Sequence, residues 1–200
     1  IMLPYRTSIQ KDLAKINDYA IDIIATSHGP MYDDPDFIIK AYHGWVFDEP
    51  KNLVVLPYSS MHGSTREMVK HLVNALIERG VSVKQYDLAV TEIGKLAISL
   101  VDAATIVLGV PTVLAGPHPN IAHAAFLANA LRPKAKFISI IGSYGWGGRT
   151  VEILSGMIPN LKAEVLEPVL SKGYPKEADY EALDKLADAI TEKHTMNNLS

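Results

Sequence analysis

The sequence predicts an α/β protein built on a doubly wound, five-stranded parallel sheet. Three observations carry this expectation. From Leu53 onward, apolar runs of strand length alternate with segments whose apolar residues recur at spacings of three and four. The connections between them are short. The runs Thr105–Val110 and Phe137–Ile141 are almost continuously apolar, as strands covered on both faces must be.

The elements follow in order. Strands are expected near 53–57, 82–86, 105–110, 136–141 and 163–169. Helices are expected near 65–79, 92–101, 119–130, 149–158 and 176–193. The first of these places Thr65, Met68, Val69, Leu72, Val73 and Leu76 on one face. The last does the same with Tyr180, Leu183, Leu186, Ala187 and Ile190, leaving Glu177, Asp179, Glu181, Asp184 and Lys185 to solvent. Residues 1–50 do not read as a complete domain. Ser8 to about Ile16 suits a short helix and Ile21–Ala25 a buried strand. Thr26-Ser27-His28-Gly29-Pro30 breaks the pattern. Asp34 then caps a second helix with Pro35 at its first position, and Pro50-Lys51-Asn52 links it to the sheet.

Composition narrows the function classes. Two hundred residues at 48% hydrophobic content suit one sizeable domain, or one domain plus a fragment. A net charge of −3 without a basic segment argues against nucleic acid as partner. No apolar run reaches the length of a membrane span, and no signal-peptide pattern opens the chain. With no cysteine, disulfides, thiolate chemistry and Cys-ligated metals are excluded, which fits a cytoplasmic protein. The opening Ile1-Met2-Leu3-Pro4 does not read as a natural start, so an upstream part is expected elsewhere.

In an open parallel sheet, ligands bind beyond the carboxyl ends of the strands. Three loops meet that condition. The first, Ser59–Thr65, joins a strand to a helix N-terminus through small hydroxyl residues and one glycine, an arrangement suited to an anion. It lacks both Gly-Lys-Ser/Thr and Gly-x-Gly-x-x-Gly, so a single terminal phosphate fits better than a triphosphate or a dinucleotide. Arg66 is the nearby cation. The alternative is a plain capped helix, with Ser64 or Thr65 as N-cap. The second loop runs from Pro111 to Asn120. The third, Gly142-Ser143-Tyr144-Gly145-Trp146-Gly147-Gly148, sets two large planar side chains among four glycines. Either those aromatics face a flat ligand, or they bury against a neighbouring helix or subunit. A phosphate pocket beside a slot for a flat heteroaromatic ring is what FMN requires.

The strings themselves point further. Ser60-Met61-His62-Gly63-Ser64-Thr65 resembles the phosphate loop of flavodoxins. With Pro111-Thr112 and Gly142-Ser143-Tyr144-Gly145-Trp146-Gly147-Gly148, it resembles the flavodoxin-like domain of flavodiiron proteins (A-type flavoproteins). Upstream, Ile23–Pro30 is similar to the last iron-ligand segment of that family's metallo-β-lactamase-like αββα domain, and Tyr42-His43-Gly44-Trp45 to its closing helix. The resemblance implies strand order 2-1-3-4-5 over residues 51–200, preceded at 1–50 by the tail and linker of the αββα domain. It implies that Ser60, Met61, His62, Gly63, Ser64 and Thr65 hold the FMN phosphate. Pro111, Thr112, Val113, Leu114 and Gly116 would line one side of the ring, and Ser143, Tyr144, Gly145, Trp146 and Gly147 the other. Many relatives carry asparagines where this chain has Val113-Leu114-Ala115.

The resemblance also implies electron transfer from a protein donor such as rubredoxin to a diiron centre that reduces O2 to water or NO to N2O. A head-to-tail homo-oligomer, or a partner chain carrying the diiron domain, would bring flavin and irons together. His28 matches an iron ligand, but the upstream ligands are not in this chain, so it would serve only beside the missing iron-binding domain. The acidic residues Asp33, Asp34 and Asp36 read as a helix start. His62 and His118 flank the presumed ring, while His71, His123 and His194 read as ordinary helix-face residues. Two rivals stand beside this reading. One is a free-standing FMN reductase acting on a nicotinamide or quinone. The other is a non-catalytic receiver domain, which Pro57-Tyr58-Ser59 disfavours because it offers no acidic residue at the end of the first strand.

Overall fold

The computed structural model describes residues 3–199. They fall into two compact units that part between Glu49 and Pro50.

In the first unit, helix α1 (Arg6–Ile16) and helix α2 (Pro35–Val46) are the regular elements after a short 3-10 turn. Asp34 caps α2 by accepting the Phe37 N–H, with Pro35 at the first helical position. Arg6 Nε and Gln10 Nε2 of α1 both donate to the Val46 carbonyl, each at 2.7 Å, so α1 satisfies an end carbonyl of α2. The strand expected over Ile21–Ala25 does not form. Ile24 makes an isolated antiparallel bridge with Tyr32, and Ile23 is exposed. A short apolar run with no neighbouring strand to pair with has no ladder in which to bury.

The second unit is the expected sheet. β1 (Lys51–Tyr58) leads to α3 (Ser64–Glu78), then β2 (Ser82–Asp87), α4 (Ile93–Ser99) and β3 (Ala103–Val113). A two-residue strand β4 (Gly116–Pro117) and α5 (Pro119–Leu131) follow, then β5 (Phe137–Tyr144) and α6 (Thr150–Gly156). The chain ends with β6 (Glu164–Val165), β7 (Val169–Lys172) and α7 (Glu177–Met196). The spatial order is β2-β1-β3-β5-β6, with β7 also parallel to β5. That is the predicted order 2-1-3-4-5, except that the fifth strand is split. Leu166-Glu167-Pro168 separates its two pieces, and Pro168 has no N–H to give the ladder.

The alternation of side chains builds two cores. Val54 and Leu56 of β1 pack with Leu72 and Leu76 of α3 and Leu183 and Ile190 of α7. Leu53 and Val55 face Leu96 of α4, Ile121 and Ala125 of α5 and Leu154 of α6. Burying both faces is what lets the central strands be apolar throughout. Removing one fully buried leucine such as Leu72 costs about 2–5 kcal/mol.

Parallel register brings the loops to one edge. Tyr58 pairs with Asp87 and with Gly109, and Pro111 pairs with Ser143. The carboxyl ends of β1, β2, β3 and β5 therefore open side by side.

Candidate functional site

The first loop begins where β1 ends. Ser59 donates its N–H to the Gly109 carbonyl at 3.0 Å and is only 2% exposed. Its Oγ is buried without a hydrogen-bond partner among the described residues. Gly63 is the N-cap of α3 with φ +91°, a conformation glycine takes without strain. A glycine has no side chain to satisfy the first N–H groups, and no cap bond is formed. Ser60 Oγ accepts the Arg66 N–H at 3.3 Å. Thr65 is buried, its Oγ1 3.2 Å from Ser143 Oγ, which ties the first loop to the third. Met61 and His62 are exposed.

The second loop is not an open coil. β3 runs on through Pro111, Thr112 and Val113, then turns back on itself as β4, with Thr112 opposite Pro117 and Val113 opposite Gly116. The two turn residues are Leu114 (φ +47°) and Ala115 (φ +63°), so both central positions are left-handed, as a tight hairpin requires. Neither is glycine or asparagine, and each costs about 1–2 kcal/mol there. Leu114 is 99% exposed at the tip, whereas Pro111 is buried. His118 caps α5, its Nδ1 accepting the Asn120 N–H at 3.2 Å, and so has a local structural task.

The third loop leaves β5 after Tyr144. Trp146 is 96% exposed and therefore does not bury against a helix of this chain. A Cβ added at Gly145 or Gly147 would meet nothing within 4 Å, so both present bare backbone to open space. Gly148 differs, since a Cβ there would lie 2.7 Å from Thr112 Cγ2 and 2.9 Å from the Ala115 carbonyl oxygen. The Arg149 N–H donates to that same carbonyl at 2.8 Å, and Thr112 Oγ1 lies 2.9 Å from Thr150 Oγ1. The third loop thus clamps the hairpin.

An open groove of about 590 Å³ runs along Thr112, Tyr144, Gly147, Arg149 and Leu170. It gathers three of the residues expected around the ring and adds Arg149, whose guanidinium grips Glu152 with two hydrogen bonds. The residues Ser60–Thr65 do not line it. Arg66, expected beside the phosphate, instead reaches toward Asp87 Oδ2 at 3.7 Å. Burial pushes the neighbouring Tyr58 phenol up, with Asp87 adding to the shift and Arg66 opposing it.

His28 is exposed in the first unit and lines a cavity of about 340 Å³ there with Asp12, Tyr32 and Tyr42. Among the described residues, no group of three or more His, Asp or Glu side chains could hold a metal ion. No helix among them is long and apolar enough to cross a membrane.

No protein-family model matches the sequence. The solved structure of rubredoxin oxygen:oxidoreductase from Desulfovibrio gigas superposes with a TM-score of 0.93 at 26% identity, over 100% of this chain and 51% of that one. The fold is flavodoxin-like. A nitric oxide reductase of Moorella thermoacetica is 32% identical over 83% of this chain and 42% of its own length. A rubredoxin-oxygen oxidoreductase of Megalodesulfovibrio gigas is 29% identical over 86% and 44%. The chain belongs to the flavodiiron protein family. It spans about half the length, or less, of the curated relatives it matches.

Proposed function

We propose that this chain is the FMN-binding electron-transfer unit of a flavodiiron oxidoreductase. It takes electrons from a protein donor such as rubredoxin and passes them to a diiron site that reduces O2 to water or NO to N2O. Residues 51–200 form the FMN domain, and residues 1–50 are the tail of the metallo-β-lactamase-like domain that carries the irons in the complete protein. His28 ligates iron only within that domain. The relatives' names, nitric oxide reductase and rubredoxin-oxygen oxidoreductase, support the two half-reactions.

The observation that carries the reading is the convergence of a glycine-capped helix N-terminus and an exposed tryptophan on one sheet edge. The residues fit the cofactor on three counts. The N-cap Gly63 leaves the first α3 N–H groups without a cap from its own side chain, Ser59 Oγ has no partner among the described residues, and Gly145 and Gly147 leave room for close approach. FMN, when bound, supplies transfer of electrons one at a time through its ring. The chain's own part is binding and positioning. Ser60, Met61, His62, Gly63, Ser64 and Thr65 hold the phosphate with hydroxyls and amides. Pro111, Thr112, Val113, Leu114 and Gly116 form one wall of the ring slot, and Ser143, Tyr144, Gly145, Trp146 and Gly147 the other. Bare amides near the ring and a largely uncharged wall set the electrostatic surroundings. A head-to-tail homo-oligomer brings one subunit's ring toward another's irons, and the unit works in the cytoplasm.

The test is a titration of the purified chain with FMN, read by flavin fluorescence and absorption, with iron analysis on the same sample. Quenching at one FMN per chain supports the reading, and unquenched flavin removes it. Trp146→Ala should leave thermal stability within about 0.5 kcal/mol, because the side chain touches little, and weaken FMN binding roughly tenfold. The groove beside Tyr144 and Arg149 gives the rival, a free-standing FMN reductase, one specific support. Rapid turnover of NADH by the FMN-loaded chain without a protein donor would favour it.

A further inference from the structure

The first loop carries one cation whose partner does not hold it firmly. Arg66 is the third residue of α3, and its backbone N–H already faces the loop through Ser60 Oγ. Its guanidinium is half exposed and lies 3.7 Å from Asp87 Oδ2, beyond hydrogen-bond length. Asp87 is anchored independently, its Oδ1 accepting the Ala89 N–H at 3.0 Å. The carboxylate stays in place while the arginine is loosely attracted to it. Ser59 Oγ, buried at the head of the same loop and without a partner among the described residues, is a second sign that the loop is completed by a group from outside the chain.

We infer that Arg66 sets the selectivity of this loop for a phosphate monoester over the uncharged alcohol, and that Asp87 competes with the phosphate for its guanidinium. This rests on the FMN reading above. An arginine at the third helical position adds a full charge to the partial charge of the helix end, and it swings on a flexible stem. A phosphate offers it charged oxygens in geometry a single distant carboxylate oxygen does not match. Asp87 lowers the net attraction, so the site binds a phosphate more weakly than it would without that carboxylate. Tyr58, whose phenol stays protonated between the two, adds no charge of its own.

The experiment compares FMN with riboflavin, which lacks the phosphate, by fluorescence titration of the whole chain at low and high salt. Wild type, R66Q, R66K and D87N are used, with circular dichroism to confirm folding. R66Q should reduce the preference for FMN over riboflavin by about three- to tenfold and flatten its salt dependence. R66K should restore most of the preference, and D87N should raise it about twofold or more. Riboflavin affinity should be equal in all four. An unchanged preference in R66Q overturns the inference while leaving the cofactor reading intact. So does a D87N variant that loses preference as R66Q does, since the pair would then act as a structural tie. If wild type binds neither flavin, both readings fall together.

Discussion

Acid should destabilise this protein through one residue far from the loops. His194, in the last turn of α7, is 2% exposed and reaches one residue each of β1 and β3. Its Nε2 lies 2.7 Å from Thr105 Oγ1 and its Nδ1 2.8 Å from Asn52 Oδ1. The Asn52 amide nitrogen donates to the Gly80 carbonyl at 3.1 Å, which turns Oδ1 toward the ring. Nδ1 therefore carries the proton and Nε2 accepts the Thr105 hydroxyl, a neutral tautomer with both nitrogens satisfied. Burial holds the imidazole down to about 4, against 6.5 when unfolded. Near it lie the ion pair of Lys193 with Glu164, the pair of Lys51 with Asp102, and the Lys136 ammonium beside Asn197.

The sign follows from which state binds the proton. Below pH 6.5 the unfolded chain protonates His194 and the folded chain does not, so folding stability falls as pH drops from about 6.5 to about 4. Above 6.5 this contribution is complete. Below 4 both states are protonated and no more is lost. At about 1.4 kcal/mol for each tenfold, the loss is roughly 3 kcal/mol. Urea melts of wild type and His194→Gln from pH 8 to pH 4 measure it. The glutamine variant starts lower at pH 8, because its amide fits the two partners less well, but its stability should fall less steeply through the window by up to one proton. Parallel slopes for the two proteins, or an NMR titration showing His194 charged at pH 6, would refute the reasoning.

Two further outcomes are expected. Gly142→Ala should cost at least about 3 kcal/mol in a denaturant melt, because its Cβ would sit 1.9 Å from the Val110 carbonyl oxygen and two central strands would have to part. Leu114→Asn should raise the melting temperature, by the equivalent of about 0.5–1 kcal/mol, since asparagine accepts a left-handed backbone and an exposed leucine is removed.

The sheet was legible because parallel strands must be apolar runs and their helices must show a stripe. The strand-to-helix junction at Ser59–Thr65 was legible from small residues before a helix. What escaped the sequence did so for identifiable reasons. The tight hairpin at Val113–Gly116 has no Asn-Gly or Gly-Gly to announce it, since Leu114 and Ala115 are held left-handed by the clamp from the third loop rather than by preference. The split fifth strand did carry a signal, in Pro168. His194 carried one too. It continues the buried series Leu183, Leu186, Ala187 and Ile190 at the next helical step, and the polar Thr105 in an apolar strand and Asn52 at its neighbour's start were its waiting partners. Read singly, each looked ordinary. The Ile21–Ala25 strand was overread because a short apolar run does not reveal whether a partner exists.

The glycines of the third loop look alike in sequence and differ in what surrounds them, and this decides how the candidate site tolerates change. Gly142 and Gly148 lie against neighbouring backbone with no room for a methyl, so they fix how closely β5 approaches β3 and how tightly the loop grips the hairpin. Gly145 and Gly147 touch nothing within 4 Å, so steric crowding inside the chain does not explain them. Gly147 has a backbone reason, at φ +110°, but Gly145 has neither reason. The open space in front of Gly145 is room for the flat ring proposed above. Gly145→Ala therefore separates the roles, because it should leave folding unchanged and weaken binding of a flat ring beside Trp146. The same substitution at Gly148 should disturb the fold first.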